Sequence, residues 1–138
     1  MVKNRIVVLG GGESGVGAAV LAKVKGFDVF LSDMSTLTSE YKKVLRKYDI
    51  PFEEGGHTWE NILNAGEIIK SPGIPSTAPL VAKAIEMDIP IISEIEFAGS
   101  YDTAKKICIT GSNGNTTTTS LIYYMLKNVG LNVGLEAI

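Results

Sequence analysis

The sequence predicts an α/β fold that is built on a mostly parallel sheet. Two observations support this prediction. Short apolar runs alternate with helical segments, and each run ends in a loop rich in glycine, serine or proline. Runs that are apolar throughout are typical of parallel strands buried on both faces, and the alternation with helices predicts right-handed crossovers. Residues 1–93 supply one such sheet, and residues 94–138 supply a link and the start of a second α/β unit.

The first strand is followed at once by a glycine loop and a helix. Residues 6–9 read as a buried strand, and Gly10, Gly12 and Gly15 follow with the spacing GxGxxG. In this spacing the first glycine permits a tight turn, the second lets backbone approach a phosphate, and the third lets the helix pack against the strand. The pattern predicts a Rossmann-like sheet with a nucleotide diphosphate at the helix N-terminus. The alternative is a tight strand-to-helix turn that binds nothing.

Later elements continue the alternation and add two candidate ligand loops. Strands are predicted at 28–32, 52–54, 67–70 and 89–92, and helices at 38–47 and 77–87, the latter with Thr77 as N-cap. Asp33 ends the second strand, where such folds place a carboxylate for a ribose or base, although a turn or N-cap role fits equally well. Ser71, Pro72 and Gly73 end the fourth strand, where open α/β sheets bind ligands, unless they are only a rigid connection.

Composition excludes several functions. The chain is 45% hydrophobic and 20% charged with a net charge of -2, which suits a globular protein and gives no attraction to nucleic acid or anionic membranes. The single cysteine, Cys108, excludes a disulfide framework, and we expect its thiol to be buried. The single histidine, His57, is expected to hold a loop beside Trp59. No stretch reaches membrane-spanning length and no signal peptide is evident, so we expect a cytoplasmic location.

A second glycine loop occupies residues 111–117. It follows an apolar run at 106–110, which predicts a buried strand, and precedes a helix ended by Gly130 and a new strand at 132–133. The usual phosphate-binding loop has a lysine before its hydroxyl residue, and Asn115 stands there instead. Because an amide carries no charge, we expect weakened triphosphate binding. One strand, one helix and the start of a strand cannot close a sheet, so the second unit is expected to be truncated.

Four motifs together resemble the Mur ligases, over residues 6–134. They are the 10–15 glycine loop, SPG at 71–73, SEIEF at 93–97, and GSNGNTT at 111–117, which is similar to the GTNGKTT-type ATP loop of that family. The resemblance implies a three-domain ligase of peptidoglycan synthesis. Its Rossmann-like first domain binds the UDP end of the substrate, its central P-loop-type domain binds ATP and Mg²⁺, and its third domain helps to bind D-glutamate.

The resemblance also implies roles for individual residues. The UDP end of UDP-N-acetylmuramoyl-L-alanine would be held by Gly12, Glu13, Ser14 and Gly15 at the diphosphate, by Asp33, Met34 and Ser35 at the uracil, and by Ser71, Pro72 and Gly73 around the uridine. The ATP loop would comprise Gly111, Ser112, Asn113, Gly114, Asn115, Thr116 and Thr117, with Thr116 as the magnesium ligand. The family often has Asp-Thr-Arg-like residues where this chain has Asp33, Met34 and Ser35.

No catalytic residue is expected within these 138 residues, and D-glutamate would be used only by the full-length enzyme. We therefore expect the chain to be an N-terminal part of the ligase that binds UDP without catalysing the reaction. Two other functions stay open: a NAD-type dinucleotide-binding domain of an oxidoreductase, and a scaffold that binds neither nucleotide. The 71–73 loop and the second glycine loop favour the ligase, because a nicotinamide enzyme needs neither.

Overall fold

The computed structural model describes residues 2–135 and divides the chain into two compact units, one running to Thr103 and one from Ala104. In chain order the first unit contains β1 (Val2–Leu9), α1 (Glu13–Val24), β2 (Asp28–Asp33), α2 (Ser39–Lys47), β3 (Phe52–Glu54), α3 (Trp59–Ile62), β4 (Ala65–Lys70), α4 (Pro79–Glu86), β5 (Ile91–Ser93) and α5 (Glu94–Gly99). The second unit contains α6 (Asn115–Asn128).

The strands of the first unit form one sheet in the order β3-β2-β1-β4-β5, and every neighbouring pair is parallel. The predicted α/β class and Rossmann-like sheet are thus confirmed. β1 lies at the centre because its residues from Ile6 to Leu9 are apolar on both faces, with Val7 and Val8 completely buried. The chain adds β2 and β3 on one side of β1, and β4 and β5 on the other. The order therefore reverses between β1 and β4, which creates a topological switch point.

Helices cover both faces of this sheet. Ile6 and Val8 belong to a core layer shared with α1, α2 and α5, whereas Val7 and Leu9 belong to the opposite layer, shared with α3 and α4. The alternation along β1 gives each face of the sheet its own apolar layer. Phe97 of α5 is only 3% exposed within the first layer. The segment expected as a link is therefore packed into the first unit, which extends beyond the boundary expected at residue 93.

The prediction for α4 is wrong in two details. The helix begins at Pro79 with Ala78 as its N-cap, not after Thr77, because proline suits the first helical turn and needs no partner for an N–H. The sequence places Ile85 on the inward apolar face of this helix with Leu80, Val81 and Ala84, but Ile85 is 53% exposed. It lies beside β5, which is a three-residue edge strand and covers too little of the helix. That strand begins at Ile91 because the preceding Pro90 has no N–H for the ladder.

The second unit departs most from the prediction. Its helix forms as expected, but residues 106–110 and 132–133 are not strands. Ile107 is 58% exposed, and the expected buried thiol of Cys108 is exposed instead. An apolar run becomes a strand only where a neighbour pairs with its backbone, and residues 104–135 contain no such neighbour. Over the whole described chain, no helix has the length and apolar character that crossing a membrane requires.

Candidate functional site

The loops after β1 and β4 lie side by side at the switch point. The Ser71 N–H donates to the Leu9 carbonyl at 3.0 Å, which continues the β1–β4 pairing beyond the strand ends. Gly10 has a φ of 107°, and a Cβ built on it would lie 2.8 Å from the Ser71 Cβ. Only glycine fits this approach and this backbone conformation. The two segments that the sequence indicated as a ligand site, residues 10–15 and 71–73, are therefore neighbours.

The other two glycines of the GxGxxG spacing, Gly12 and Gly15, differ in their surroundings. A Cβ built on Gly15 would overlap the carbonyl oxygen of Gly10, so α1 approaches the end of β1 as closely as backbone allows. Gly12, the N-cap of α1, has no other atom within 4 Å of a built Cβ and therefore borders open space. The N–H groups of the first helical turn have no partner within the helix. Together with the helix dipole they make this opening suitable for an anion.

Asp33 connects the glycine loop to the end of β2. Its Oδ2 accepts a hydrogen bond from the Gly11 N–H at 2.6 Å, and its Oδ1 accepts one from the Ser35 N–H at 2.7 Å. The carboxylate thus positions backbone in two loops of the same sheet edge. This is the turn role that the sequence left open, and each oxygen keeps a lone pair that a ligand could use.

The segment from Asp33 to Ser35 is also held by the loop that follows β3. The Gly55 N–H donates to the Ser35 carbonyl at 3.2 Å, and the Gly56 N–H donates to the Asp33 carbonyl at 3.4 Å. Met34, between them, is 63% exposed. The predicted uracil segment is therefore a fixed backbone that presents an apolar side chain to solvent.

A polar cluster around the buried Ser32 side chain holds that loop in place. Ser32 is completely buried, and its hydroxyl donates to Glu53 Oε1 at 2.7 Å and lies 2.6 Å from His57 Nδ1. The Thr58 N–H donates to the same Glu53 oxygen at 2.7 Å. Because the single Ser32 proton goes to the carboxylate, Nδ1 of His57 carries a proton and donates to Ser32. His57 therefore fixes a loop, as the sequence led us to expect.

Glu53 is ionised more readily than an ordinary glutamate. Burial raises the pKa of its carboxyl, but hydrogen bonds from Thr58 and Ser32 and the nearby His57 ring outweigh burial, so the pKa lies below 4.5. The sequence did not reveal this cluster, because its members lie on different elements. The available signals were Ser32, a polar residue that follows three apolar ones in its strand, and His57, which the sequence places in a loop.

Glu54, the next residue, holds the segment that leads from Ser35 into α2. Its Oε2 accepts from the Leu37 N–H at 2.7 Å, and its Oε1 lies 2.6 Å from the Lys42 ammonium. The hydrogen bond from Lys42, followed by that from Leu37, lowers the pKa of the Glu54 carboxyl below its ordinary value. Ionised Glu54 therefore stabilises the fold through contacts that the unfolded chain lacks.

This lowered pKa predicts a pH-dependent effect of Glu54→Gln. The native state favours the ionised carboxyl, so its contribution is complete above the unfolded pKa of about 4.3 and is lost as pH falls through the lower native pKa. Urea unfolding should therefore show the variant less stable than the parent at neutral pH, with the difference vanishing in acid. Glu86→Gln, which removes an exposed pair with Lys83 of 3.5 Å, is the control and should change little. A Glu54→Gln effect that is equal at both pH values would contradict this role.

Ser14 makes a second contact that the sequence did not indicate. Its hydroxyl donates to Glu94 Oε1 at 3.3 Å, and Glu94 is only 6% exposed. The bond joins the first turn of α1 to the start of α5. Ser14 and Glu13 are themselves exposed at the helix N-terminus, beside the opening at Gly12.

In the second unit, all seven residues of the 111–117 loop are exposed. Gly114 is left-handed, with a φ of 73°, and serves as the N-cap of α6. The Asn115 Oδ1 accepts from the Thr116 N–H at 3.2 Å, so this side chain folds back onto its own helix. Thr116 lies on the first turn of that helix. Within residues 2–135, no group of three or more His, Cys, Asp or Glu side chains could hold a metal ion.

Comparisons with known proteins agree on one family. The family model described as the MurD N-terminal domain matches residues 5–79. The chain is 66% identical over 132 residues to the UDP-N-acetylmuramoylalanine–D-glutamate ligase of Bacteroides fragilis, and 59% identical over 133 residues to that of Porphyromonas gingivalis. These alignments cover 96% of the chain, which spans about 30% of the length of each relative.

Solved structures of ligases are similar to this chain as well. MurC of Thermotoga maritima is similar with a TM-score of 0.62 and 26% identity, over 91% of this chain and 29% of that one. A pseudomurein peptide ligase type C of Methanothermus fervidus has a TM-score of 0.60 and 32% identity, over 94% of this chain and 28% of that one. The chain, with its switch-point glycine loop, therefore belongs to the MurD N-terminal domain family.

Proposed function

We propose that this chain is the UDP-binding part of an ATP-dependent ligase that adds D-glutamate to UDP-N-acetylmuramoyl-L-alanine in peptidoglycan synthesis. Relatives with the corresponding name at 66% identity support the reaction, and the chain spans about 30% of their length. The observation that carries the proposal is the meeting of the glycine loop with the Ser71–Pro72–Gly73 loop at the switch point. In open α/β sheets this is the place where nucleotides bind.

The geometry of each loop supports a separate role in binding the UDP end of the substrate. The diphosphate would lie in the open space at Gly12, against the first-turn N–H groups of α1, which include those of Glu13 and Ser14. The uridine would lie between the segment that begins at Asp33 and the loop that begins at Ser71. These residues bind and orient the substrate, and none of the described residues is proposed to catalyse a step.

ATP and Mg²⁺ are proposed as cofactors of the longer protein, held at the 111–117 loop. The exposed N-terminus of α6 suits a phosphate, and the Thr116 hydroxyl suits Mg²⁺. Bound ATP would supply the phosphoryl group that activates the substrate carboxylate for attack by the D-glutamate amine. The residues of this loop fit ATP only in part, because the Asn115 side chain carries no positive charge that could bind the terminal phosphate. D-Glutamate is likewise proposed as a substrate of the longer protein alone.

The Asn115 position gives a testable expectation. Asn115→Lys should recover part of the triphosphate affinity of this chain without recovering ATP turnover. A charge-assisted phosphate contact is worth about 1.5–3 kcal/mol, and less in an open, solvated loop, so we expect a gain of roughly tenfold. Calorimetric titration with ATP, together with a phosphate-release assay, measures both quantities. ATP-dependent ligation of D-glutamate by the unchanged chain would contradict the proposal that it does not catalyse.

The proposed compartment is the cytoplasm, because the reaction consumes ATP and a UDP-activated precursor. We propose no nucleic-acid or membrane partner, since a net charge of -2 provides no general attraction to nucleic acids or to anionic membranes.

Parallel calorimetric titrations with UDP, NAD and ATP test the proposed function. Saturable binding of UDP, with NAD bound more weakly or not at all, is the expected result. Tighter binding of NAD would instead favour the dinucleotide-binding domain of an oxidoreductase. Absence of binding by all three would favour a scaffold.

A further inference from the structure

We propose that Lys70 is a positioning residue for the loop at 71–74, and thereby for the nucleoside end of the UDP ligand. The inference rests on the proposed UDP site and assigns a role to a residue outside the motifs of that site. Lys70 is the last residue of β4 and is half-buried.

The Lys70 ammonium holds the loop at both of its ends. Nζ donates to the Ile74 carbonyl at 2.6 Å and to the Ser71 carbonyl at 3.2 Å. Within the loop, the Ile74 N–H donates to the same Ser71 carbonyl at 3.1 Å, which closes a four-residue turn. One side chain therefore links the first and last residues of the turn that contains Pro72 and Gly73.

Ile74 also packs against the apolar layer that includes Val7 and Leu9, but among the described hydrogen bonds Lys70 supplies the only side-chain donor to the carbonyls of this turn. Pro72 and Gly73 are exposed, and on the glycine-loop side the turn is held by the Ser71 N–H bond to the Leu9 carbonyl. None of the ion pairs in the described part of the chain includes Lys70, so its charge acts on the turn carbonyls. Hydrogen bonds from an ionised donor are stronger than neutral ones. A long side chain is also needed, because the ammonium of Lys70 must extend to the carbonyl of Ile74, which lies four residues later in the chain.

Loss of the Lys70 hydrogen bonds is expected to weaken contacts with the nucleoside more than contacts with the phosphates. Ser71 adjoins Gly10 at the switch point, so a loosened turn would disturb the surface against which a uridine packs. The anion site at Gly12 lies on α1 and does not depend on Lys70. Loss of these hydrogen bonds should therefore weaken the binding of uridine and UDP equally, whereas loss of a direct charge–phosphate attraction would weaken only that of UDP.

The test compares Lys70→Met, which keeps the stem and removes the donors, with Lys70→Arg and the parent chain. NMR titrations with uridine and with UDP should both show about tenfold weaker binding for Lys70→Met, as expected for loss of two charge-assisted hydrogen bonds. Lys70→Arg should restore most of the affinity. Lys83→Met, at an exposed lysine of α4, is the matched control and should bind like the parent.

Hydrogen exchange supplies a readout without ligand. The Ile74 amide should exchange faster in Lys70→Met, while Val7 and Ile68 in the core strands keep their protection. Unchanged exchange at Ile74, unchanged binding, or a loss confined to UDP would each overturn the role of Lys70. A parent chain that binds neither ligand would contradict the proposed UDP function itself and the positioning role with it.

Discussion

Gly15→Ala is expected to destabilise the first unit by about 4 kcal/mol or more, a large share of the 5–15 kcal/mol that typically separates folded from unfolded domains. The added Cβ would overlap the Gly10 carbonyl oxygen and lie 3.0 Å from its carbon. These are backbone atoms, and the Gly10 N–H is itself bonded to the Ser32 carbonyl at 3.0 Å, so they cannot rotate aside. Urea unfolding followed by circular dichroism measures the effect.

Gly17→Ala is the matched control, two residues further along the same helix. A Cβ built on Gly17 meets no other atom within 4 Å. Alanine is favoured over glycine inside a helix by about 1 kcal/mol, so this substitution should stabilise the chain. If both variants had similar stability, the close contact between α1 and the end of β1 would be contradicted.

Gly12→Val is expected to abolish calorimetrically detectable binding of UDP while leaving the fold intact. A Cβ built at this position meets no other atom within 4 Å, and the φ of −75° and ψ of −173° suit a β-branched residue. The valine side chain would occupy the space in front of the helix N-terminus, where we propose that the diphosphate lies. A melting temperature within about 2 °C of the parent would correspond to a change well below 1 kcal/mol.

Gly12→Ala tests whether the loss of UDP binding in Gly12→Val comes from the volume of the side chain or from reduced flexibility of the backbone. Its single methyl group should weaken UDP binding less than valine does, because it fills less of the same space. Equal UDP affinity in the parent and in Gly12→Val would show that the diphosphate does not lie on this loop. Unfolding of Gly12→Val would show that the space is not open.

The sheet and the meeting of its loops were predictable because the signals are local. β1 is apolar at every position from Ile6 to Leu9, which indicates burial on both faces, and the glycine spacing follows directly. Parallel strands then bring their carboxyl ends to one edge of the sheet, so the proximity of Ser71 to Gly10 follows from topology.

The supporting contacts were not predictable, because each depends on side chains that fold together from distant elements. Ser14 and Glu94 are 80 residues apart, and Ser32 and His57 are 25 apart. The sequence also does not indicate whether the backbone of an apolar run pairs with a neighbouring strand. Residues 106–110 have the composition of a buried strand, yet Ile107 is exposed because nothing in the described unit pairs with them.

An NMR titration of the isotopically labelled chain with UDP tests the central claim most directly. We expect saturable shifts of backbone amides at residues 11–15, 33–35 and 71–74, with the amides of the 111–117 loop unchanged. Shifts confined to the second loop, or no saturable shift at the edge where β1 and β4 end, would contradict the proposed UDP site at the switch point.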